Sequence, residues 1–116
     1  MKPLKWVGVA RRDLRAFPAV VRRHIGQALF AAQRGEEYSS VKALKGFGSR
    51  SVLEVLAMDQ SGTYRAVYTV RLPDAIYVLH AFQKKSKTGI TTPQKDMELI
   101  RHRLSAAEQD HATRQK

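Results

Sequence analysis

The chain of 116 residues carries 21 lysines and arginines against 10 acidic residues, which gives a formal net charge of +11 at pH 7. This length suits one domain, and 43% hydrophobic with 27% charged residues is typical of a globular protein. The absence of cysteine excludes thiolate catalysis, disulfide bonds and Cys-ligated zinc. No uncharged run is long enough to span a bilayer, and we expect a cytoplasmic protein whose partner is a polyanion, either nucleic acid or an acidic protein.

The first predicted elements are a strand and a helix. Leu4, Trp6, Val7 and Val9 predict a short strand over residues 2–9, and residues 13–17 fit one helical turn. Pro18 then begins a helix whose apolar residues recur every three or four positions, and Gly35 ends it.

Three strands and a last helix follow a loop over residues 36–51. The strands cover residues 52–58, 63–71 and 75–84, which are rich in β-branched and aromatic residues. Thr92 is the predicted N-cap of the last helix, with Pro93 at its first position, and a polar, flexible tail is expected over residues 108–116. The order β-α(α)-β-β-β-α predicts one small α+β domain over residues 1–107, with an antiparallel sheet of about four strands packed on two to three helices.

Alternation along the three strands predicts two different faces of the sheet. With tight turns, Leu56 lies opposite Arg65, and Arg65 lies opposite Phe82. One face is nearly all apolar, includes Tyr64 and Tyr68, and should pack on the helices; its residues are Leu53, Val55, Ala57, Tyr64, Ala66, Tyr68, Val70, Tyr77, Leu79 and Ala81.

The opposite face is mixed, and we expect the functional surface there. Its apolar and neutral side chains are accompanied by several basic groups and by Glu54 as the one acid. The residues on this face are Glu54, Leu56, Met58, Arg65, Val67, Thr69, Arg71, Ile76, Val78, His80, Phe82 and Lys84.

The positive charge is concentrated in two segments. Residues 1–35 hold eight basic side chains against Asp13 alone, and residues 75–95 hold four lysines and no acid. Phosphate contacts are therefore expected in the N-terminal third, which includes Arg22 and Arg23, and around the lysine cluster. The alternative is that both segments are solvated faces that keep the protein soluble.

Two motifs in the strands carry a resemblance to a known family. The first is the run Gly62-Thr63-Tyr64-Arg65-Ala66-Val67-Tyr68, and the second is the run His80-Ala81-Phe82-Gln83-Lys84-Lys85-Ser86-Lys87, followed by Thr92-Pro93. In this order, and in a basic chain of this size, they resemble the phage-derived, HigB-like branch of the RelE/ParE toxin superfamily over roughly residues 3–107.

This resemblance implies a RelE-like fold and a toxin of a type II toxin–antitoxin system, neutralised by a HigA-like antitoxin with a helix-turn-helix DNA-binding domain. Toxins of the HigB and RelE type are generally ribosome-dependent mRNA endoribonucleases, whereas ParE-like relatives poison DNA gyrase, so the fold does not determine the target. One departure weakens the case for cleavage. Relatives usually have Glu-Leu-Arg in the strand before the first motif, and Leu56 stands here where the basic residue is expected.

Metal-independent RNA cleavage requires a base for the 2′ proton, cations for the phosphorane and an acid for the leaving oxygen. No metal or other cofactor is expected. Arg65 is the predicted phosphate anchor, because a guanidinium binds phosphate through two hydrogen bonds and stays charged. The alternative for Arg65 is an ion pair with Glu54 on the same face.

The remaining predicted site residues lie around Arg65. Lys84 and Lys87 are expected to supply positive charge for catalysis, and His80 is a candidate base or acid near neutral pH. The predicted nucleic-acid contacts are Arg22, Arg23, Arg71, Phe82 and Lys85, with Phe82 stacking on a base. The alternatives are a structural role for His80, a core-filling role for Phe82 and plain solvation for the lysines.

Three functions remain open at this point. The leading hypothesis is a toxin that cleaves translated mRNA at the ribosome. The second is a non-cleaving protein of the same fold that binds gyrase, RNA or the ribosome, and the third is a small basic RNA-binding module outside the toxins.

Overall fold

The computed structural model describes residues 1–48, 52–84 and 92–114, and these ranges form five strands and three helices. The α+β class predicted from the sequence is confirmed. In chain order the elements are β1 (Leu4–Trp6), α1 (Ala10–Arg15), α2 (Ala19–Gln33), β2 (Val41–Ala43), β3 (Val52–Asp59), β4 (Gly62–Thr69), β5 (Ile76–Lys84) and α3 (Gln94–Arg114).

The five strands form one mixed sheet in the order β1-β5-β4-β3-β2. The pairs of β2 with β3, β3 with β4 and β4 with β5 are antiparallel, whereas β1 runs parallel to β5. The sheet thus has one strand more than predicted and is not wholly antiparallel. The additional strand, β2, lies in the predicted loop over residues 36–51, because three residues are too few for an alternating pattern to be recognised.

The last helix is longer than the apolar spacing predicts. It continues to Arg114, although the sequence predicted a flexible tail after Ala107. The Tyr77 hydroxyl donates a 2.7 Å hydrogen bond to Asp110 Oδ2, and Arg114 Nε donates to the same oxygen at 3.0 Å. These polar contacts hold the last turns of α3, which a search for apolar periodicity does not detect.

Helices cover both faces of the sheet. The α1–α2 layer packs on the face that contains Tyr64 and Tyr68, and both tyrosines are buried as predicted. On the other face, α3 buries Ile100, Leu104 and Ala107 against a second apolar cluster of the sheet. The predicted functional face is therefore largely covered by α3, because the apolar stripe of that helix has to be removed from water.

A β-bulge explains why part of the predicted face assignment is wrong. Between Val67 and Tyr68 the register of β4 against β5 shifts by one residue, so that Val67 pairs with His80 but Tyr68 pairs with Val78. The shift exchanges the two faces in the first half of β5. Ile76 and Val78 join the cluster under α1 and α2, and Tyr77 and Leu79 join the cluster under α3, the reverse of the expectation.

Candidate nucleic-acid interface

Three rows of side chains cross strands β3, β4 and β5 on the face covered by α3. The predicted pairing of Leu56 with Arg65, and of Arg65 with Phe82, is confirmed. The inner row lies deepest under α3, the middle row contains Arg65, and the outer row lies at the end of the sheet. In that order the rows are Glu54–Val67–His80, Leu56–Arg65–Phe82 and Met58–Thr63–Lys84.

Arg65 is buried in the middle row and paired with Glu54. Its Nη1 donates a 2.9 Å hydrogen bond to Glu54 Oε2, and each side chain is only 2% exposed. Thr92, just before α3, adds its hydroxyl to this cluster: Oγ1 accepts from Arg65 Nη1 at 3.1 Å and donates to Glu54 Oε2 at 3.3 Å. The sequence-based alternative of an Arg65–Glu54 pair is thus confirmed, and the guanidinium does not face solvent.

His80 is held between two charged side chains of α3. Its Nε2 lies 2.8 Å from Asp96 Oδ1, and its Nδ1 lies 3.4 Å from Arg103 Nη1, which also donates to the Leu79 carbonyl oxygen at 2.9 Å. Burial lowers the pKa of His80 below its ordinary 6.5, an effect larger than the opposing influence of Asp96. A neutral imidazole matches these neighbours, since Nε2–H donates to the carboxylate and Nδ1 accepts from the guanidinium.

Among the described residues, the outer end of this face is open and mostly apolar. Met58 is 70% exposed, and Leu56 and Phe82 are partly exposed beside it. The Phe82 ring packs against the cluster under α3 and stacks on His80, with ring centroids 4.6 Å apart and planes 16° apart. Lys84 pairs with Thr63 in the outer row. The structure thus brings Arg65, His80, Phe82 and Lys84 onto one face of the sheet.

The other predicted residues lie elsewhere. Lys85 and Lys87 are outside the described residues. Arg22 and Arg23 are exposed on α2, in the helix layer on the opposite side of the sheet. Arg71 lies beyond the end of β4, where it forms a 3.1 Å ion pair with Glu108 of α3. Arg22 and Arg23 therefore belong to a second basic surface, separated from Arg65 by the thickness of the sheet.

That second surface includes further arginines of α1. Arg11 and Arg15 are exposed one helical turn apart, and neither has an ion pair within the described ranges. Arg22 and Arg23 of α2 lie in the helix layer on the same side of the sheet, and we call these four residues the arginine surface. Exposed guanidinium groups favour a phosphate-rich partner.

Sequence reasoning missed the contribution of α3. Thr92, Asp96 and Arg103 all contact the predicted site residues, but only Thr92 was singled out, and then as a helix cap. Thr92 lies two residues before α3 and Asp96 lies in its first turn, so the predicted start of this helix is the one signal in the sequence that places the two residues together.

Two further observations concern ligands and membranes. Across residues 1–48, 52–84 and 92–114, no three His, Asp or Glu side chains come together in a way that would hold a metal ion. Within the same part of the chain, no helix is both long and apolar enough to cross a membrane.

Comparison with known proteins identifies the family. The model of the family described as phage-derived protein Gp49-like matches residues 12–105, so the chain belongs to that family. No curated protein matches. Among solved structures, the chain is similar to an E. coli RelE toxin, an arginine-to-alanine double mutant in the free state. The two share 16% sequence identity and a TM-score of 0.56, and the match covers 90% of this chain and 96% of that chain. The predicted RelE-like fold of a phage-derived family member is thereby confirmed.

Proposed function

We propose that this protein is a RelE-type toxin that arrests growth by acting on mRNA at the translating ribosome, and that a cognate, HigA-like antitoxin neutralises it in the cytoplasm. The observation that carries the proposal is the open end of the sheet face, where Phe82 and Lys84 lie beside Arg65 in a family member of this fold and charge. The ribosome is a very large polyanion, and the arginine surface supplies sequence-independent phosphate contacts on the far side of the molecule.

As a nuclease, the protein would direct the 2′ hydroxyl of one nucleotide at the adjacent phosphate without a metal ion. A base takes the 2′ proton, cations stabilise the phosphorane, and an acid returns a proton to the departing 5′ oxygen. Lys84, with Lys85 and Lys87 in the following segment, is the proposed source of positive charge. His80 is a weaker candidate for proton transfer, because both ring nitrogens already face protein groups.

A second candidate function is favoured by Arg65. To bind a substrate phosphate, its guanidinium has to leave Glu54, and breaking a buried ion pair costs about 3–5 kcal/mol. Leu56, beside Arg65, adds no charge that would offset this cost. A toxin that binds RNA, the ribosome or gyrase without cleavage needs no such exchange.

Induced expression in a bacterium, with primer extension on abundant mRNAs, separates these functions. The test variant is Lys84→Ala, and its control is Lys42→Ala, an exposed lysine on the strand at the far edge of the sheet. Growth arrest with in-frame mRNA cuts that disappear in Lys84→Ala and persist in Lys42→Ala supports the nuclease. Arrest with intact mRNA supports the non-cleaving function, and unimpeded growth contradicts the toxin proposal.

A further inference from the structure

The stacked rings of His80 and Phe82 form a small column at the open end of the sheet. His80 is fixed from α3 by Asp96 and Arg103, so the ring on which Phe82 lies is held rigidly. Phe82 is partly exposed, and no second aromatic ring stacks on it within the described part of the chain. The column therefore ends in an aromatic ring that is partly accessible to solvent.

The surroundings of this face combine apolar and basic side chains. Leu56 lies on the same side of the sheet as Phe82, and Met58 follows it in the outer row, 70% exposed. Lys84, two residues after Phe82, lies in that outer row as well. The apolar side chains of Leu56 and Met58 next to the ammonium group of Lys84 suit a ligand that has a flat ring on one side and a phosphate on the other. A nucleotide has this chemistry.

We propose that Phe82, stacked on His80, is the platform for one unpaired base of single-stranded RNA. Leu56 and Met58 flank the base, and Lys84 lies near the neighbouring phosphate. This inference rests on the proposed function for the identity of the RNA. It assigns the aromatic column to binding.

Stacking predicts weak sequence preference, because every base has a π face. It also predicts that binding at this platform is separable from cleavage, since neither ring has to gain or lose a proton. Binding should therefore persist in a protein that leaves mRNA intact.

A short RNA with a fluorescent base tests the platform directly. The probe is a uridine hexaribonucleotide with 2-aminopurine at its third position, whose fluorescence falls when the base stacks. We expect wild-type protein to quench the probe, Phe82→Trp to retain the quenching, and Phe82→Leu to lose it with a 5- to 150-fold weaker affinity, a range of about 1–3 kcal/mol per stacked base. The control Phe30→Leu removes an exposed ring from the opposite helix layer and should leave binding unchanged.

The outcomes separate this inference from the proposed function. Quenching by Phe82→Leu equal to wild type, or no quenching by the wild-type protein, overturns the platform even if the protein arrests growth. Quenching that depends on Phe82 in a protein that causes no arrest supports the platform and contradicts the toxin proposal. If Phe82→Leu does not fold, loss of quenching in a folded Phe82→Trp protein overturns the platform.

Discussion

Removing Arg65 should destabilise the protein strongly, because the carboxylate of Glu54 would stay buried without its partner. In Arg65→Met the methionine fills the space of the aliphatic stem, so the main loss is the 2.9 Å ion pair between side chains that are each 2% exposed. Breaking a buried pair from one side costs about 3–5 kcal/mol. For a domain of this size, with a urea dependence of about 1.5 kcal/mol per molar, the unfolding midpoint should fall by about 2–3 M.

The double variant Glu54→Leu with Arg65→Met is the matched control. It removes both charges and replaces them with apolar groups, and such replacements are often neutral or stabilising. Urea unfolding at pH 7, followed by circular dichroism, should place the double variant within about 1 kcal/mol of wild type. A loss below about 1 kcal/mol in Arg65→Met, or a double variant as unstable as the single one, would show that the pair is not a buried, mutually dependent unit.

Three further predictions concern other contacts of the fold. Burial lowers the pKa of His80, so as the pH falls through 6.5 the unfolded chain binds a proton at this residue before the folded protein does. The free energy of unfolding should therefore decrease toward acid pH. Thermal melts of His80→Gln should show a weaker dependence of stability on pH than the wild type between pH 5 and 7. In thermal melts, Gly8→Ala should reduce stability by about 1–2 kcal/mol, since Gly8 has φ +58° and a Cβ there would lie 3.1 Å from the Arg103 guanidinium. Gly26→Ala should instead increase stability by about 0.5–1 kcal/mol, because Gly26 lies within α2 and a Cβ there would meet open space. Equal changes in stability for the two variants, or a stabilised Gly8→Ala with a destabilised Gly26→Ala, would refute this reasoning. Tyr77→Phe should lower the free energy of unfolding by about 1 kcal/mol, because it removes the hydrogen bond to Asp110. In the wild type the Tyr77 phenol should titrate with a pKa of about 12. An absorbance titration that is complete by pH 10.5 would contradict a buried, hydrogen-bonded hydroxyl.

The long elements were predictable because their patterns are local. The apolar spacing of α2 and the alternation along β3 and β4 each extend over at least eight residues, which was enough to predict the pairing of Leu56 with Arg65. Counting from the turn at residues 59–62 then gave the register directly. The bulge after Val67 has no such signal, since no glycine or proline marks it, and the count therefore failed for the first half of β5.

The environment of the site depends on contacts between distant parts of the chain. Glu54, Arg65 and His80 were correctly placed on one face, but their burial is caused by α3, which begins after them in the chain. Charge and alternation do not reveal which face a later helix will cover. Mixed polarity therefore suggested an open surface, where the structure has a buried polar cluster bordered by a smaller open end.

The parallel pairing of β1 with β5 also determines when the protein can fold. Leu4 and Trp6 find their sheet partners, Ile76 and Val78, about 70 residues later in the chain. Helix α1 packs on the same late strand. A growing polypeptide that has not yet reached β5 lacks both the neighbour of its first strand and the support of its first helix, so β1 and α1 cannot take their native places before β5 is made. Chains that terminate before β5 should therefore fail to complete the fold, because their first strand and first helix have no partner.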